Sequence, residues 1–216
     1  MEVNMDKKYE EDLENFCEHG DVGDDWCGDE IVQAILTWVK SNIECDDSIL
    51  DMGCGNAAII FQMYHQGYVN ITGIDKSPVA IKLATEISHQ ECVKVNLQVC
   101  DVMGSVPSDV ANSPLNKKYR LILDKGLYDS YSTTKSTVYT KTKVEQFRET
   151  YLKNTHELLQ PGGILLVATC CHTEADMKQT IGKKGFHVQK VLPTPTFVFG
   201  GKKGHNVTVI AFRKTD

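Results

Sequence analysis

The eight residues Ile49-Leu50-Asp51-Met52-Gly53-Cys54-Gly55-Asn56 constrain this chain more than any other stretch. A short apolar run ends on an acid, two glycines flank one residue, and a helix-compatible segment starts at Asn56. Strand, Gly-x-Gly and helix in that order are how a parallel α/β sheet presents backbone N–H groups to a ligand. The glycines allow a tight turn and let a ligand approach the backbone with no Cβ in the way. Twenty residues after Gly55 comes Ile71-Thr72-Gly73-Ile74-Asp75, a second strand ending on an acid. At that spacing a carboxylate can receive the two hydroxyls of a ribose.

Two cofactor classes use this layout. Gly53-Cys54-Gly55-Asn56-Ala57-Ala58 satisfies G-x-G-x-x-[GA], so the glycines alone leave NAD and an oxidoreductase open. Asp51 weighs against it. An acid two residues before the first glycine would sit near a pyrophosphate and repel it. S-adenosylmethionine has no phosphate and carries a cationic amine and a sulfonium, which an acid attracts.

The 216 residues suffice for one domain with a real core. A net charge of −6 gives no basic field for nucleic acid. No stretch approaches the roughly 18 apolar residues of a membrane span, and Met1 to Lys8 lacks the apolar region of a secretory signal. The eight cysteines include no C-x-x-C pair, which suits dispersed thiols in a reducing cytoplasm, with the nucleus also open. Cys170-Cys171-His172 is the one tight cluster. Adjacent side chains on an extended segment point to opposite faces and chelate poorly, so no metal is expected there.

Along the chain, a charged helix-compatible start leads into the polar loop Glu18 to Gly28, which holds Trp26. Its ring is expected either to pack at the domain edge or to cover a bound ligand as a lid. From Asp29, read as an N-cap, apolar residues at helical spacing run to about Lys40. Strands are expected at 48–51, 69–75, 95–100, 119–123, 164–168, 186–192 and 207–212. Helices are expected at 56–66, 77–90, 143–159 and 173–181, with Ser77-Pro78 as cap and first residue of the second. Segments 102–118, 130–141 and 193–205 read as loops. This alternation makes one α/β, doubly wound domain with a mostly parallel seven-stranded sheet and an antiparallel last strand. Residues 1–45 hold the N-terminal helices and the Trp lid loop, and 46–216 the sheet domain, as one structural unit.

Asp51, Asp75, Asp101 and Asp124 each stand at the carboxyl end of a strand, where open α/β sheets bind ligands. By chemistry, Gly53 and Gly55 meet the methionine part with Asp51 at its ammonium end. Asp75 takes the ribose hydroxyls, with Lys76 beside it. Asp101 accepts from the adenine amino group, and Val102 lies beside the ring. Asp124 lies where the amine and sulfonium would meet an acceptor. Any one of these acids could instead be a cap or turn residue.

These residues resemble those of class I (seven-strand) S-adenosylmethionine-dependent methyltransferases, with a Rossmann-like fold. More closely, the chain is similar to the eukaryotic elongation factor 1A lysine methyltransferase 2 family, also called methyltransferase-like protein 10. The likeness is carried by Gly20 to Gly28 around Trp26, Leu50 to Asn56, Asn70 to Pro78, Asp124-Lys125-Gly126-Leu127-Tyr128-Asp129, and Leu192 to Gly201. Cys27 stands where the family more often has a larger aromatic, and Ala57 where it has glycine. The resemblance implies S-adenosylmethionine as cofactor and a lysine of elongation factor 1A as substrate. No nucleic acid or membrane partner is expected, and a monomer is expected. Asp124, Asp129 and Tyr128 are the candidate catalytic residues, with Asp129 as a candidate general base or a structural turn residue. Tyr128 and Tyr131 either wall the lysine channel or sit in the core, and Phe197 and Phe199 are candidates for a substrate rim. Strand four lacks the [DN]-P-P-[YF] box of enzymes acting on amide or base nitrogens. A non-catalytic module on the same fold remains the other alternative.

Overall fold

The computed structural model describes residues 5–23, 25–104, 113–132, 141–182, 184–199, 202–205 and 207–215, with backbone alone at 141, 197–199 and 202–205. Helices α1 (Met5–His19) and α2 (Asp29–Asn42) lead into β1 (Ile49–Met52), α3 (Ala58–His65), β2 (Ile71–Asp75), α4 (Pro78–Gln90) and β3 (Asn96–Val99). Next come β4 (Tyr119–Lys125), α5 (Leu127–Ser132), α6 (Lys141–Leu158), β5 (Leu159–Thr169), α7 (Glu174–Thr180) and β6 (Phe186–Val191). A two-stranded hairpin, β7 (Thr196–Phe199) and β8 (Lys202–His205), precedes the last strand, β9 (Thr208–Lys214).

The seven-stranded sheet has the order β3-β2-β1-β4-β5-β9-β6. Strands β3 through β5 are parallel, and β9 runs antiparallel to both β5 and β6. This is the doubly wound sheet with an antiparallel last strand that the alternation predicts. The order reverses between β1 and β4, which opens a crevice at their carboxyl ends.

Strand periodicity assigns the core. Ile49, Leu121, Leu123, Ile164, Leu166, Val209 and Ala211 face a layer built by α1 to α4. Their alternates, Leu50, Met52, Ile122, Leu165, Val167, Ile210 and Phe212, face a layer that includes Tyr128 of α5, Tyr151 of α6 and Met177 of α7. The first layer packs closely because β2 carries Gly73: a Cβ there would lie 2.6 Å from Ile60 of α3. Ser77 caps α4 as the sequence predicts, accepting from the Ala80 amide at 3.3 Å.

Several boundaries differ from expectation. Asp29 is the first residue of α2, and Gly28 occupies the cap with φ 78°. Gly126 turns the chain into α5 immediately after β4, a helix of six residues that is too short to show periodicity. Residues 196–205, read as loop, contain the β7–β8 hairpin. Strand β5 starts at Leu159, five residues early, because pairing resumes across an irregularity between Tyr119 and Leu121. The expected loops at 105–112 and 133–140, and the side chains of Phe197 and Phe199, lie outside the described residues. Among the described residues no helix is long and apolar enough to cross a membrane.

Candidate active site

The sheet order places the four acids in the spatial order Asp101, Asp75, Asp51, Asp124 along one rim. Their surroundings are not alike. Asp51 shares strand parity with Ile49, and Asp75 shares it with Ile71, so both face the α1–α4 layer. Asp124 shares parity with Ile122 and faces the α5–α6 layer. Alternate residues of a strand point to opposite faces, so Asp51 and Asp124 share the rim but not a face.

On the first face, Asp51 is 2% exposed. Its Oδ1 is buried with no hydrogen-bond partner among the described residues. Burial pushes its carboxyl up to about 7; the Lys125 ammonium opposes this, and Asp124, Asp25 and Asp75 add to it. Asp75 accepts from the Gly55 amide at 3.1 Å and the Ser77 amide at 2.9 Å. Burial raises its pKa, and those two donors oppose the rise.

The glycine turn also differs from the simplest reading of its motif. Gly53 and Gly55 have φ 71° and 55°, which only glycine adopts at no steric cost. Their amides, however, are occupied within the fold. Gly53 and Cys54 both donate to the Ile74 carbonyl, at 2.8 and 3.0 Å, and Gly55 donates to Asp75. A phosphate needs free N–H donors; this turn offers a cleared space near Asp51 Oδ1, which has no hydrogen-bond partner among the described residues. The site therefore fits a cation-bearing nucleoside and not a pyrophosphate.

Tyr9 of α1 stands against the same turn. A Cβ on Gly55 would come within 2.9 Å of its hydroxyl. Burial, then Asp75, push that hydroxyl well above its ordinary pKa. One tyrosine in a charged helix gives no sequence signal for a partner 46 residues away.

Trp26 is 43% exposed. Its indole N–H donates to the Lys125 carbonyl at 3.2 Å, and its ring lies against Gly126, where a Cβ would approach to 3.1 Å. Asp25 fixes the loop through an ion pair with Lys125 at 3.0 Å. Burial raises the Asp25 carboxyl, but the Lys125 ammonium and the hydrogen bonds from Cys27 and Lys125 together hold it below its usual range.

On the second face, Asp124 is 1% exposed and fully engaged. It accepts from the Tyr151 hydroxyl at 2.6 Å and the Tyr128 amide at 3.1 Å. Burial pushes it up to about 7 against those donors. Tyr128 is core, its ring packed on Phe147, Tyr151 and His172, so it does not wall a channel. Tyr131 is half-buried, stacks on Phe147 and accepts from Lys76 Nζ at 2.7 Å, which links the end of β2 to α5. Asp129 accepts from the Thr169 hydroxyl and from the Cys170 amide at 2.8 Å, joining α5 to the end of β5. Asp101 is exposed and accepts from the Met103 amide at 2.9 Å, the turn arrangement. Val102 is buried, and its carbonyl accepts from Asn154.

Cys170 to His172 form a bend and not an extended segment, which overturns the reason given for poor chelation. The two sulfurs lie on one side, 3.7 Å apart. Partial burial, and then the Asp129 carboxylate, push the Cys170 thiol up to about 12.

A profile of the methyltransferase domain family matches residues 43–211. The chain is 34% identical over 213 residues to EEF1A lysine methyltransferase 2 of Mus musculus, covering 98% of this chain and 82% of that protein. It is 29% identical to protein-lysine N-methyltransferase efm4 of Schizosaccharomyces pombe, covering 96% and 90%. In fold it is similar to the N-methyltransferase NodS of Bradyrhizobium japonicum, solved with S-adenosyl-L-homocysteine, at TM-score 0.64 and 16% identity over 99% of this chain and 100% of that one.

Proposed function

Since this chain belongs to the methyltransferase domain family, and within it to the EEF1A lysine methyltransferase 2 group, we propose that it transfers methyl groups from S-adenosylmethionine to a lysine of translation elongation factor 1A in the cytoplasm. The observation that carries the reading is the buried, unpartnered Oδ1 of Asp51 beside a glycine turn whose amides are already occupied.

Asp51 is the residue to hold the cofactor's ammonium, with Gly53 and Gly55 clearing space for its methionine part. Asp75 receives the ribose hydroxyls, with Lys76 beside it. Asp101 and Val102 border the adenine side, and Trp26 covers the mouth. When bound, S-adenosylmethionine supplies an electrophilic methyl group on sulfur.

The remaining work belongs to the acceptor. A lysine ammonium at neutral pH yields its amine at a cost of about 4.5 kcal/mol. Partial desolvation between Trp26 and Tyr131 lowers that cost by disfavouring the charged form. The Asp129 carboxylate, aimed by Thr169 and the Cys170 amide, attracts the ammonium and orients the amine. Asp124 acts one step removed, fixing the first turn of α5 through the Tyr128 amide. No covalent enzyme intermediate is required, because proximity and orientation supply the rate.

Two measurements test the reading. Calorimetry should give binding of S-adenosylmethionine and none of NAD; the reverse ends it. Labelled methyl should pass to purified elongation factor 1A. Cofactor binding without transfer would leave only a non-catalytic module. With Asp129→Asn, kcat should fall while cofactor affinity holds, and near-normal turnover would remove Asp129 from the mechanism.

A further inference from the structure

The bend after β5 gathers three metal-ligating groups. Oxygen of Asp129 and the sulfurs of Cys170 and Cys171 all lie within 4.8 Å of one another. The geometry points to a site for a thiophilic divalent cation, zinc by preference, held by Cys170, Cys171 and Asp129. Neither thiol enters the proposed methyl transfer, but the site shares Asp129 with it, so the proposal is read by metal retention and not by activity.

The sulfur separation carries the argument. Two thiolates at about 2.3 Å on a tetrahedral zinc lie about 3.75 Å apart, and Cys170 and Cys171 stand at 3.7 Å. A disulfide would need that distance to close to about 2.05 Å. The bend is held from both ends. The Cys170 amide donates to Asp129, and the amides of Cys171 and His172 both donate to Thr169 Oγ1 at 3.2 Å. Thr169 in turn donates its hydroxyl to Asp129. Neighbouring sulfurs are thus kept on one side by backbone hydrogen bonds, before any metal arrives.

The Asp129 carboxylate brings an oxygen donor beside the two sulfurs. Binding exchanges two thiol protons, released to buffer, for one Zn²⁺, with no change of oxidation state. Two sulfurs and one carboxylate oxygen select a borderline-soft ion over magnesium or calcium. Both cysteines are exposed, which gives the ion an entry path and leaves a fourth position for water. His172 Nε2 is bonded to Ser132 Oγ at 2.6 Å and is not counted as a ligand.

The test is equilibrium dialysis of the reduced, metal-stripped full chain against zinc chloride, with cadmium chloride as a second probe read by its thiolate charge-transfer absorbance. One equivalent of each should be retained. Cys170→Ser and Cys171→Ser should each weaken zinc binding at least ~10-fold, given that even outer-shell changes cost 10–100-fold. Asp129→Asn, which keeps an acceptor for the Cys170 amide, should weaken it too. Cys92→Ser, at an exposed site elsewhere, should change nothing. Failure of the wild type to retain zinc overturns the proposal. So does equal retention by the Cys170→Ser Cys171→Ser double variant, with circular dichroism checking that each variant is folded.

Discussion

Asp51 and Asp124 are the same residue type at the ends of adjacent strands, yet the sheet gives them opposite fates. Met52 pairs with Asp124, so Asp51 stands one residue out of step and faces the other layer. Asp51 keeps an oxygen with no hydrogen-bond partner among the described residues; Asp124 has its carboxylate filled by Tyr151 and the Tyr128 amide. Both are driven up to about 7, mainly by burial. The similar pKa values hide different purposes. In the proposed reading one acid receives a cation from outside, whereas the other ties β4, α5 and α6 together.

The sharpest way to break this contrast is Asp51→Asn. Losing one partner of a buried charge pair costs roughly 2–5 kcal/mol, so S-adenosylmethionine affinity should fall by about 100-fold or more in calorimetry. The ligand-free Tm at pH 8 should stay level or rise, because an unpaired buried carboxylate is removed. A normal dissociation constant would show that the unpartnered oxygen is not the cation's seat.

Asp124→Ala should behave in the opposite sense. It strands the buried Tyr151 hydroxyl and the Tyr128 amide, at about 1–3 kcal/mol for each unsatisfied group. Urea unfolding should register that loss. Tyr151→Phe should cost less, since the carboxylate keeps its backbone donor. If Asp124→Ala spared stability and abolished cofactor binding, the two acids would have exchanged roles and the comparison would fail.

What the sequence revealed follows the same division. The alternation of strands and helices, the Ser77 cap and the acids at strand ends are local or periodic, and they were readable. The face each acid occupies depends on the parity of its strand, which follows from the register of Leu121-Ile122-Leu123-Asp124 against Ile49-Leu50-Asp51. Partners brought from afar had no local signal at all: Tyr9 over Gly55, Tyr151 on Asp124, and Thr169 with Cys170 on Asp129. The α5 helix escaped because six residues hold fewer than two turns.

The pH dependence sharpens the contrast next. An acid at about 7 in the fold and 3.8 when unfolded binds protons in the native state over that window. The ligand-free fold therefore loses stability as pH rises from about 4 through 7. Cofactor binding should run the other way, because a cation selects the ionised Asp51. Between pH 6 and pH 7 the ionised fraction rises about fivefold, and affinity should rise by nearly the same factor before the cofactor's own amine loses its proton at about pH 8. Asp51→Asn should flatten that profile, whereas Tyr151→Phe should leave its midpoint in place. A midpoint that moved with Tyr151→Phe would assign the titration to Asp124.

The smallest effect is expected at Ala57, which joins the glycine turn to α3 on the first face. Its φ of 61° and ψ of 20° are left-handed, at a cost of about 1–2 kcal/mol for a residue with a Cβ. Glycine would relieve that cost. Against the gain stand a fully buried methyl group, worth about 0.8 kcal/mol, and about 0.4–1 kcal/mol of added freedom in the unfolded chain. The opposing effects nearly cancel, so Ala57→Gly should shift the unfolding free energy by no more than about 0.5 kcal/mol. A gain well above that would mean the methyl group packs poorly and the turn stores strain. A comparable loss would mean that packing, and not the backbone of the turn, holds the first face open for its cation.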